Sequence, residues 1–176
     1  MRLVLIGPRG AGKSRLARGL ADAFALPRVS SDDDIARAVG CSIADYVSAN
    51  GWSAFRALET EVLEIIVRDR PGDLLLDAGG GLVVPERNRE LLREFDARIL
   101  LTARIETLVA RTAHDRARPP LTDAADPNDE MRRVLAEREP VYRSLADVTI
   151  DTSDASPEET LAKAISWIET NVGNRA

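Results

Sequence analysis

Short apolar runs alternate with stretches of helical periodicity from one end of the chain to the other. Five apolar runs predict strands, over residues 1–6, 27–30, 73–78, 98–101 and 148–151. The segments between them carry apolar residues at helical spacing, as Leu16, Leu20 and Phe24 do. Because parallel strands require a crossover connection, this order predicts an α/β domain in which a five-stranded parallel sheet is covered by helices on both faces, a three-layer sandwich.

Capping residues, glycines and prolines mark where the helices begin and end. We predict that Ser156 caps the last helix and that Pro140 interrupts the one before it. Residues 116–128 are rich in Pro, Asp and Ala and predict a mobile loop. The whole chain, 1–176, is predicted to be one domain, with a small helical lobe over about residues 32–70. The predicted helices cover residues 13–24, 35–40, 42–50, 52–68, 85–95, 105–112, 129–145 and 157–171.

Composition and charge narrow the classes of protein that remain. Of the 176 residues, 44% are apolar and 30% charged, which excludes collagen-like, coiled-coil and disordered chains. No apolar run approaches the roughly 20 residues that span a bilayer, and the first residues do not fit a signal peptide, so we expect a cytoplasmic protein without a membrane partner. The net charge of −5 argues against nucleic acid as a partner. Cys41 and His114 each stand alone, which excludes an intrachain disulfide, a cysteine zinc site and paired histidine ligands.

One glycine-rich segment carries a specific signal for nucleotide binding. Residues 7–14, Gly-Pro-Arg-Gly-Ala-Gly-Lys-Ser, fit the pattern G-x-x-x-x-G-K-[ST] between a predicted strand and a predicted helix. Glycines let consecutive backbone N–H groups turn toward one phosphate, and the N-terminal end of the helix adds positive potential. Lys13 supplies charge to the outer phosphates, and the Ser14 hydroxyl is a ligand for Mg²⁺. We predict a purine nucleoside triphosphate bound by Gly10, Ala11, Gly12, Lys13, Ser14 and Arg15.

The ends of the second and third strands predict a second ligand beside the nucleotide. Ligands of open parallel sheets bind at the carboxyl ends of the strands, so Asp32 and the glycines at 79, 80 and 81 should meet the phosphate loop at one cleft. Arg56 and Arg138, on predicted helices, suit a bidentate grip on a carboxylate. Each arginine alone is consistent with a solvated surface charge, and Asp32 alone with a helix N-cap.

These motifs, in this order, resemble the shikimate kinase family over nearly the whole chain. The resemblance implies an ATP-dependent kinase that converts shikimate into shikimate 3-phosphate with the help of Mg²⁺. It also implies a P-loop fold like that of the nucleoside monophosphate kinases, with a small helical substrate lobe and a mobile lid over about residues 112–128. Besides the phosphate loop it rests on Ser42-Ile43-Ala44-Asp45, on Gly51, Phe55, Arg56 and Glu59, on Gly79-Gly80-Gly81, on Arg118, Pro119 and Leu121, and on Arg138, Pro140 and Tyr142.

The resemblance implies a role for each matched residue. Arg56 and Arg138 would bind the carboxylate of the acceptor, and Asp32 would hold its ring hydroxyls and orient the 3-hydroxyl or accept its proton. Arg118 would descend with the lid onto the transferring phosphoryl group, and Arg111 would pack on the adenine. The predicted catalytic residues are Lys13, Asp32 and Arg118, and Gly79, Gly80 and Gly81 would line the acceptor, with Gly80 in direct contact.

Two positions depart from the family pattern. Ser30 stands where the family has the first Asp of Asp-x-Asp, a carboxylate that supports Mg²⁺, and Asp77 stands where the family has a small hydroxyl residue. An aspartate at the end of the third strand is able to hold Mg²⁺ through water. We hypothesise that the two strand ends have exchanged roles; the alternative is that Asp77 only caps a loop.

Two other functions stay open at this point. A related kinase of another small hydroxy acid, such as quinate or gluconate, is consistent with the changes at Ser30 and Asp77. A nucleotide-binding homologue without catalytic activity would share the phosphate loop, although four intact residues argue against it: Lys13, Ser14, Asp32 and Arg118. The expected ligands are ATP and a small cyclic hydroxy acid, and the chain is expected to be a monomer.

Overall fold

The computed structural model describes residues 1–113 and 126–173, which form a parallel sheet between two layers of helices. This confirms the predicted fold class. The strands, in the order β2-β3-β1-β4-β5 across the sheet, are β1 (Arg2–Ile6), β2 (Arg28–Ser30), β3 (Leu74–Asp77), β4 (Ala97–Thr102) and β5 (Val148–Asp151). The helices are α1 (Lys13–Phe24), α2 (Ser31–Val39), α3 (Ile43–Asp69), α4 (Glu86–Leu92), α5 (Ile105–Thr112), α6 (Pro127–Leu145) and α7 (Pro157–Asn171).

Alternation of side chains along the strands sorts the core into two layers, because successive residues of a strand point to opposite faces. Leu3 and Leu5 of β1 pack with α1 and α7 on one face. Val4 and Ile6 pack with α3, α4 and α6 on the other. Every residue of β3 is buried, as expected for a strand covered on both faces.

Helix boundaries follow local capping chemistry. The bounds of α1, α5 and α7 are those predicted, and Ser156 caps α7 through the backbone N–H of Glu159. The predicted helix over 35–40 begins earlier, at Ser31, because the Ser30 hydroxyl accepts a hydrogen bond from the Asp33 N–H and supplies the cap. The predicted helix over 85–95 is shorter and ends at Leu92.

Two predicted interruptions have different outcomes. Gly51 takes φ 80° and ψ 167° and kinks α3, so the break expected there is confirmed. The interruption expected at Pro140 is wrong, since α6 continues through this residue to Leu145. Val134 on one side of the proline and Tyr142 on the other are both buried, and this packing holds the two halves of α6 in one helix despite the missing backbone donor.

The strand order places the β1–α1 loop between two flanks at the carboxyl edge of the sheet. The segments that follow β2 and β3 (residues 31–32 and 78–81) form what we call the β2–β3 flank. The segments that follow β4 and β5 (residues 103–111 and 152–158) form the β4–β5 flank.

The lobe over 32–70 and the lid over 112–128 stay predictions; residues 114–125, which include His114 and Arg118, lie outside the described residues. Among the described helices, none has the length and apolar character needed to cross a membrane.

Candidate active site

The loop between β1 and α1 curls around the end of its own lysine side chain. Lys13 Nζ donates to the carbonyl oxygens of Gly7 and Pro8, each at 2.9 Å. Gly10 and Gly12 take φ values of 81° and 92°, a left-handed conformation that a Cβ disfavours. The loop thereby delivers the N-terminus of α1, whose first N–H groups have no intrahelical acceptor, to one side of a cavity.

This cavity, which we call the phosphate cavity, has a volume of about 400 Å³. It brings the loop together with carboxylates and backbone from the β2–β3 flank. Cationic side chains, a helix N-terminus and two carboxylates therefore share one space, as a metal–phosphate site requires. The lining residues are Arg9, Gly10, Gly12, Lys13, Ser14, Arg15, Asp32, Asp77, Ala78, Gly79, Gly80 and Arg111.

A second cavity, of about 510 Å³, lies on the β4–β5 flank and is mainly apolar. It shares Gly12, Arg15 and Arg111 with the phosphate cavity, and its other walls include Ala11, Leu16, Leu101, Pro157 and Leu161. The Arg111 guanidinium donates to the hydroxyl of Thr152 at 3.0 Å and to its carbonyl at 2.8 Å, so the residue that follows β5 fixes its position. An apolar slot with a planar guanidinium at its edge suits a flat aromatic base.

Three successive glycines form the wall of the β2–β3 flank. We call residues 79–81 the glycine run. A Cβ at position 81 would lie 2.1 Å from Nη1 of Arg56, and a Cβ at position 79 would lie 2.5 Å from Oδ1 of Asp32. The Gly79 N–H donates to the buried hydroxyl of Ser31 at 2.8 Å, which ties the run to the start of α2. A side chain at either position would therefore displace Asp32 or Arg56 from its observed place.

The carbonyl of Gly80 joins the glycine run to α6. It accepts hydrogen bonds from Nη1 of Arg138, at 3.3 Å, and from the hydroxyl of Tyr142. The two donors are one helical turn apart and so share a face of α6. Burial raises the pKa of the Tyr142 hydroxyl, and the charge of Arg138 only partly offsets this, so the hydroxyl stays protonated.

A buried carboxylate holds the other arginine. Arg56 forms an ion pair with Glu59, one turn further along α3, and its guanidinium lies 5.2 Å from the centre of the Trp52 ring. Burial raises the pKa of Glu59 above its ordinary value of 4.5, while the charges of Arg56 and Arg138 oppose that rise. Both guanidinium groups thus act on one carboxylate, and two positive charges facing one negative charge leave the pocket suited to an anionic ligand.

Asp77 lies at the carboxyl end of β3, directly across from Ser30 in the register of β2 and β3. It is 5% exposed, lines the phosphate cavity together with Ser14, and forms an ion pair with Arg28 at 3.8 Å. The hydroxyl of Ser14 and the carboxylates of Asp32 and Asp77 are the hard oxygen donors that Mg²⁺ prefers, so this donor set fits the metal. Within the described ranges no group of three or more His, Cys, Asp or Glu residues could hold a metal by itself.

The structure brings together the predicted site residues that lie in its described part, and it adds further residues to the site. The predicted phosphate-loop residues line the two cavities, and Asp32, Arg56 and Arg138 meet the glycine run. Asp32 is not the N-cap of α2, a position that Ser30 holds. Four residues that support the site were assigned no role there in the sequence analysis: Glu59, Tyr142, Ser31 and Thr152. Glu59 and Tyr142 lie one helical turn from Arg56 and Arg138, and this spacing is the signal by which they could have been found.

Proteins of known sequence are similar to this chain over most of its length. The model of the family described as shikimate kinase matches residues 9–169. The shikimate kinase of Neisseria meningitidis serogroup C is 38% identical over 166 residues, which cover 94% of this chain and 96% of that protein. The shikimate kinase of Thioalkalivibrio sulfidiphilus is 34% identical over 169 residues, which cover 96% of this chain and 87% of that protein.

Solved structures agree with the sequence comparison. A shikimate kinase from Acinetobacter baumannii in complex with shikimate matches with a TM-score of 0.89 and 32% identity, covering 97% of this chain and 93% of that one. The shikimate kinase from Aquifex aeolicus matches with a TM-score of 0.80 and 25% identity, covering 99% of this chain and all of that one (100%).

Proposed function

The chain belongs to the shikimate kinase family and is an ATP-dependent kinase, and from this premise we propose how its residues transfer the γ-phosphoryl group of ATP to the 3-hydroxyl of shikimate. The observation that carries the assignment of residues is the meeting of Arg56, Arg138 and Asp32 at the glycine run, beside the phosphate cavity. A compact cyclic acid held there by its carboxylate lies next to the phosphates.

ATP occupies the two cavities that share Gly12, Arg15 and Arg111. The base lies in the apolar cavity of the β4–β5 flank, against Arg111, and the phosphates lie on the loop and the N-terminus of α1. Lys13 exchanges its hydrogen bonds to the Gly7 and Pro8 carbonyls for bonds to the outer phosphate oxygens. The backbone acceptors that hold Lys13 thus keep its ammonium poised at the site.

Shikimate occupies the β2–β3 flank. Arg56 and Arg138 bind its carboxylate, and Gly79, Gly80 and Gly81 leave room for the ring beside the backbone. Asp32, whose carboxylate lies against the glycine run, holds the hydroxyls and accepts or directs the proton of the 3-hydroxyl. The acceptor oxygen is thereby placed in line with the phosphoryl group.

Phosphoryl transfer depends on positioning and charge neutralisation more than on covalent participation of the protein. Lys13 neutralises charge on the moving phosphoryl group, and membership of the family implies the same task for Arg118. The chemistry that Mg²⁺ would supply when bound is neutralisation of phosphate charge. The residues that would hold it are Ser14 and, through water, Asp77.

Release of ADP, measured with shikimate, quinate and gluconate as acceptors, tests the proposed function. We expect turnover to depend on shikimate, because the two arginines and the narrow glycine run suit a cyclic carboxylate. Turnover only with another acid would support the related kinase, and saturable ATP binding without any turnover would support the homologue that lacks catalysis.

The metal assignment has its own test. In the presence of ADP, Asp77→Asn should weaken the binding of Mn²⁺, followed by electron paramagnetic resonance, about tenfold. Ser30→Asp in the Asp77→Asn background should restore part of the affinity, because the two positions face each other across neighbouring strands and Asp also caps helices. Unchanged Mn²⁺ binding in Asp77→Asn would leave Asp77 as the ion-pair partner of Arg28 only.

A further inference from the structure

We propose that the hydroxyl of Thr152 couples the two cavities assigned to ATP: a single oxygen atom positions both the Arg111 guanidinium, on the side of the base, and the Ala11 carbonyl of the phosphate loop. Thr152 is therefore a positioning residue, and loss of its hydroxyl weakens the binding of the base and of the phosphates together. Because the coupling concerns ATP, it rests on the proposed function of the two cavities.

Thr152 is the first residue after β5 and is only 4% exposed. Its backbone N–H donates to the carbonyl of Thr102, the last residue of β4, at 2.8 Å. Its hydroxyl oxygen lies 3.1 Å from the same carbonyl oxygen and 3.2 Å from the carbonyl oxygen of Ala11. A hydroxyl has one proton to donate and two lone pairs with which to accept. The proton therefore goes to one of these two carbonyls or is shared between them.

The Ala11 carbonyl has the greater need of this proton. Ala11 is fully buried, and among the described residues the Thr152 hydroxyl is the only donor to its carbonyl. The Thr102 carbonyl already accepts from the Thr152 N–H. A buried acceptor without a partner costs free energy, so donation to Ala11 is favoured. The phosphate loop curls through its own residues, and this bond fixes one peptide within it, between Ala11 and Gly12.

The same bond determines where the Gly12 N–H points. Within the described residues no peptide bond is cis, and in a trans peptide the N–H and the C=O point in opposite directions. The Gly12 N–H therefore points away from Thr152, and Gly12 lines both cavities. A peptide that is fixed before the nucleotide binds has less conformational freedom to lose on binding.

The Thr152 hydroxyl oxygen also accepts a hydrogen bond from the base side of the site. Nη1 of Arg111 donates to it at 3.0 Å, and Nη2 donates to the Thr152 carbonyl at 2.8 Å. Two bonds from one planar guanidinium hold its plane, whereas one bond alone lets the plane rotate. Without the hydroxyl, the remaining acceptor of Nη1 within the described residues is the Gly10 carbonyl, at 3.4 Å.

The hydroxyl can be removed without releasing the segment that follows β5. The backbone N–H of Arg104 donates to the Ser153 hydroxyl at 2.8 Å, and Nη1 of Arg104 donates to the Asp154 carboxylate at 2.7 Å. The bond from the Thr152 N–H to β4 also remains. A variant of Thr152 that lacks the hydroxyl thus loses the contacts with Ala11 and Arg111 while the backbone of the segment stays in place.

Two simpler roles of the hydroxyl predict different results. If it only stabilised the fold, Thr152→Val would lower the melting temperature and leave the affinity for every ligand unchanged. If it only held Arg111, its loss would have no effect on binding once Arg111 had been removed. The coupling requires weaker binding of ADP, and also of inorganic tripolyphosphate, which has no base.

The experiment compares Thr152→Val with Thr149→Val, the matching change at an exposed threonine of β5. Calorimetry should show a Kd about 30-fold higher for ADP and about fivefold higher for tripolyphosphate in Thr152→Val, since only ADP has a base. Thr149→Val should bind both ligands as the original protein does. Thr152→Ser, which keeps the hydroxyl, should restore both affinities to within about threefold of the original values.

Removal of Arg111 separates the two contacts of the hydroxyl. In the Arg111→Ala background, Thr152→Val should still raise the Kd of tripolyphosphate about fivefold, because the contact with Ala11 does not involve Arg111. The same change should then raise the Kd of ADP by no more than that factor. An unchanged tripolyphosphate Kd in this background would overturn the proposal, since the hydroxyl would then act through Arg111 alone.

Further measurements guard against a general disturbance of the domain. The shikimate Kd, measured without nucleotide, should stay within about twofold of the original value in Thr152→Val. A loss of shikimate affinity equal to that for ADP, or a Thr152→Ser variant as weak as Thr152→Val, would also overturn the coupling. Thr152→Ala, which places no methyl group against the Ala11 carbonyl, replaces Thr152→Val if the latter does not fold, and the same losses are expected. Shikimate turnover by the original protein tests the proposed function separately.

Discussion

The β4–β5 flank and the β2–β3 flank adjoin the same phosphate loop, yet they differ in the residues that line them. The β4–β5 flank carries a mainly apolar cavity, with the guanidinium of Arg111 held at its edge by Thr152. The β2–β3 flank is a strip of glycine backbone on which charged side chains from α2, α3 and α6 converge. A flat aromatic base needs shape and an apolar surface, whereas a small polar acid needs several charged groups held at defined positions.

Substitutions in the phosphate loop and in the β2–β3 flank should therefore have different effects. Conformation and charge in the phosphate loop come from eight consecutive residues, so a change there acts locally and strongly. The β2–β3 flank depends on contacts between distant segments, as between Arg138 and Gly80 or Arg56 and Gly81. Changes there should affect the acceptor and spare the nucleotide, and the following experiments test this separation.

The largest effect should come from the loop that both flanks share. Lys13→Ala removes the cation assigned to the transferring phosphoryl group, and turnover should fall by about 10³–10⁵-fold. Lys163→Ala, at the other lysine of the chain and exposed on α7, is the matched control and should leave turnover unchanged. Steady-state ADP release measures both variants, and a fall of less than tenfold in Lys13→Ala would contradict the assigned role.

Removing either arginine of the β2–β3 flank should separate the two ligands. Arg56→Ala and Arg138→Ala each take away one partner of a charged hydrogen bond to the acceptor, a cost of about 2–5 kcal/mol in shikimate binding. Affinity for ATP should survive, because neither side chain lines the cavities assigned to the nucleotide.

Calorimetric titration with each ligand measures this separation. Arg143→Ala, a change at an exposed arginine of the same helix α6, is the matched control and should leave both affinities intact. Equal loss of ATP binding in Arg56→Ala and Arg138→Ala would show that the variants disturb the whole domain and not one flank.

A single methyl group in the glycine run should have a smaller effect in the same direction. Gly81→Ala places a Cβ where Nη1 of Arg56 lies, so the guanidinium must move, and the shikimate KM should rise roughly 10- to 100-fold. Gly72→Ala, in a turn with no atom within 4 Å of the new Cβ, controls for the general effect of the substitution. If both variants have the KM of the original protein, the proposed contact between the run and the acceptor is wrong.

The smallest effect concerns the charge balance of the β2–β3 flank. Since burial raises the pKa of Glu59 above 4.5, the folded state binds this proton more tightly than the unfolded state does. Ionisation of Glu59 therefore lowers folding stability as the pH rises above 4.5 through the higher pKa of the folded state. Glu59→Gln should remove this part of the pH dependence.

Urea unfolding at about pH 5 and pH 7 tests the effect. Between the two pH values, stability should fall more in the original protein than in Glu59→Gln. Glu61→Gln, at an exposed glutamate of the same helix, should keep the original dependence. A difference between the two pH values that is the same in all three proteins would show that the Arg56 and Arg138 charges fully compensate the burial of Glu59.

Local rules were sufficient for the elements and for the phosphate loop. Strand alternation, capping residues and the G-x-x-x-x-G-K-[ST] pattern act within a few residues, so the sheet, the bounds of α1, α5 and α7, and the binding of a nucleotide could be predicted from the chain. At Pro140 the local rule failed because of packing: α6 runs through this residue since residues on both sides of it are buried in the core.

Contacts between distant segments could be predicted only in part. The order of motifs indicated that Arg56, Arg138 and the glycines belong to one acceptor site. The spacing of these residues along the chain does not determine which of their atoms are in contact. The register that sets Ser30 opposite Asp77, the guanidinium over Gly81 and the two donors on the Gly80 carbonyl emerged only from the fold. Periodicity and capping depend on neighbours along the chain, whereas the place of a side chain in a pocket depends on how whole helices pack against the sheet.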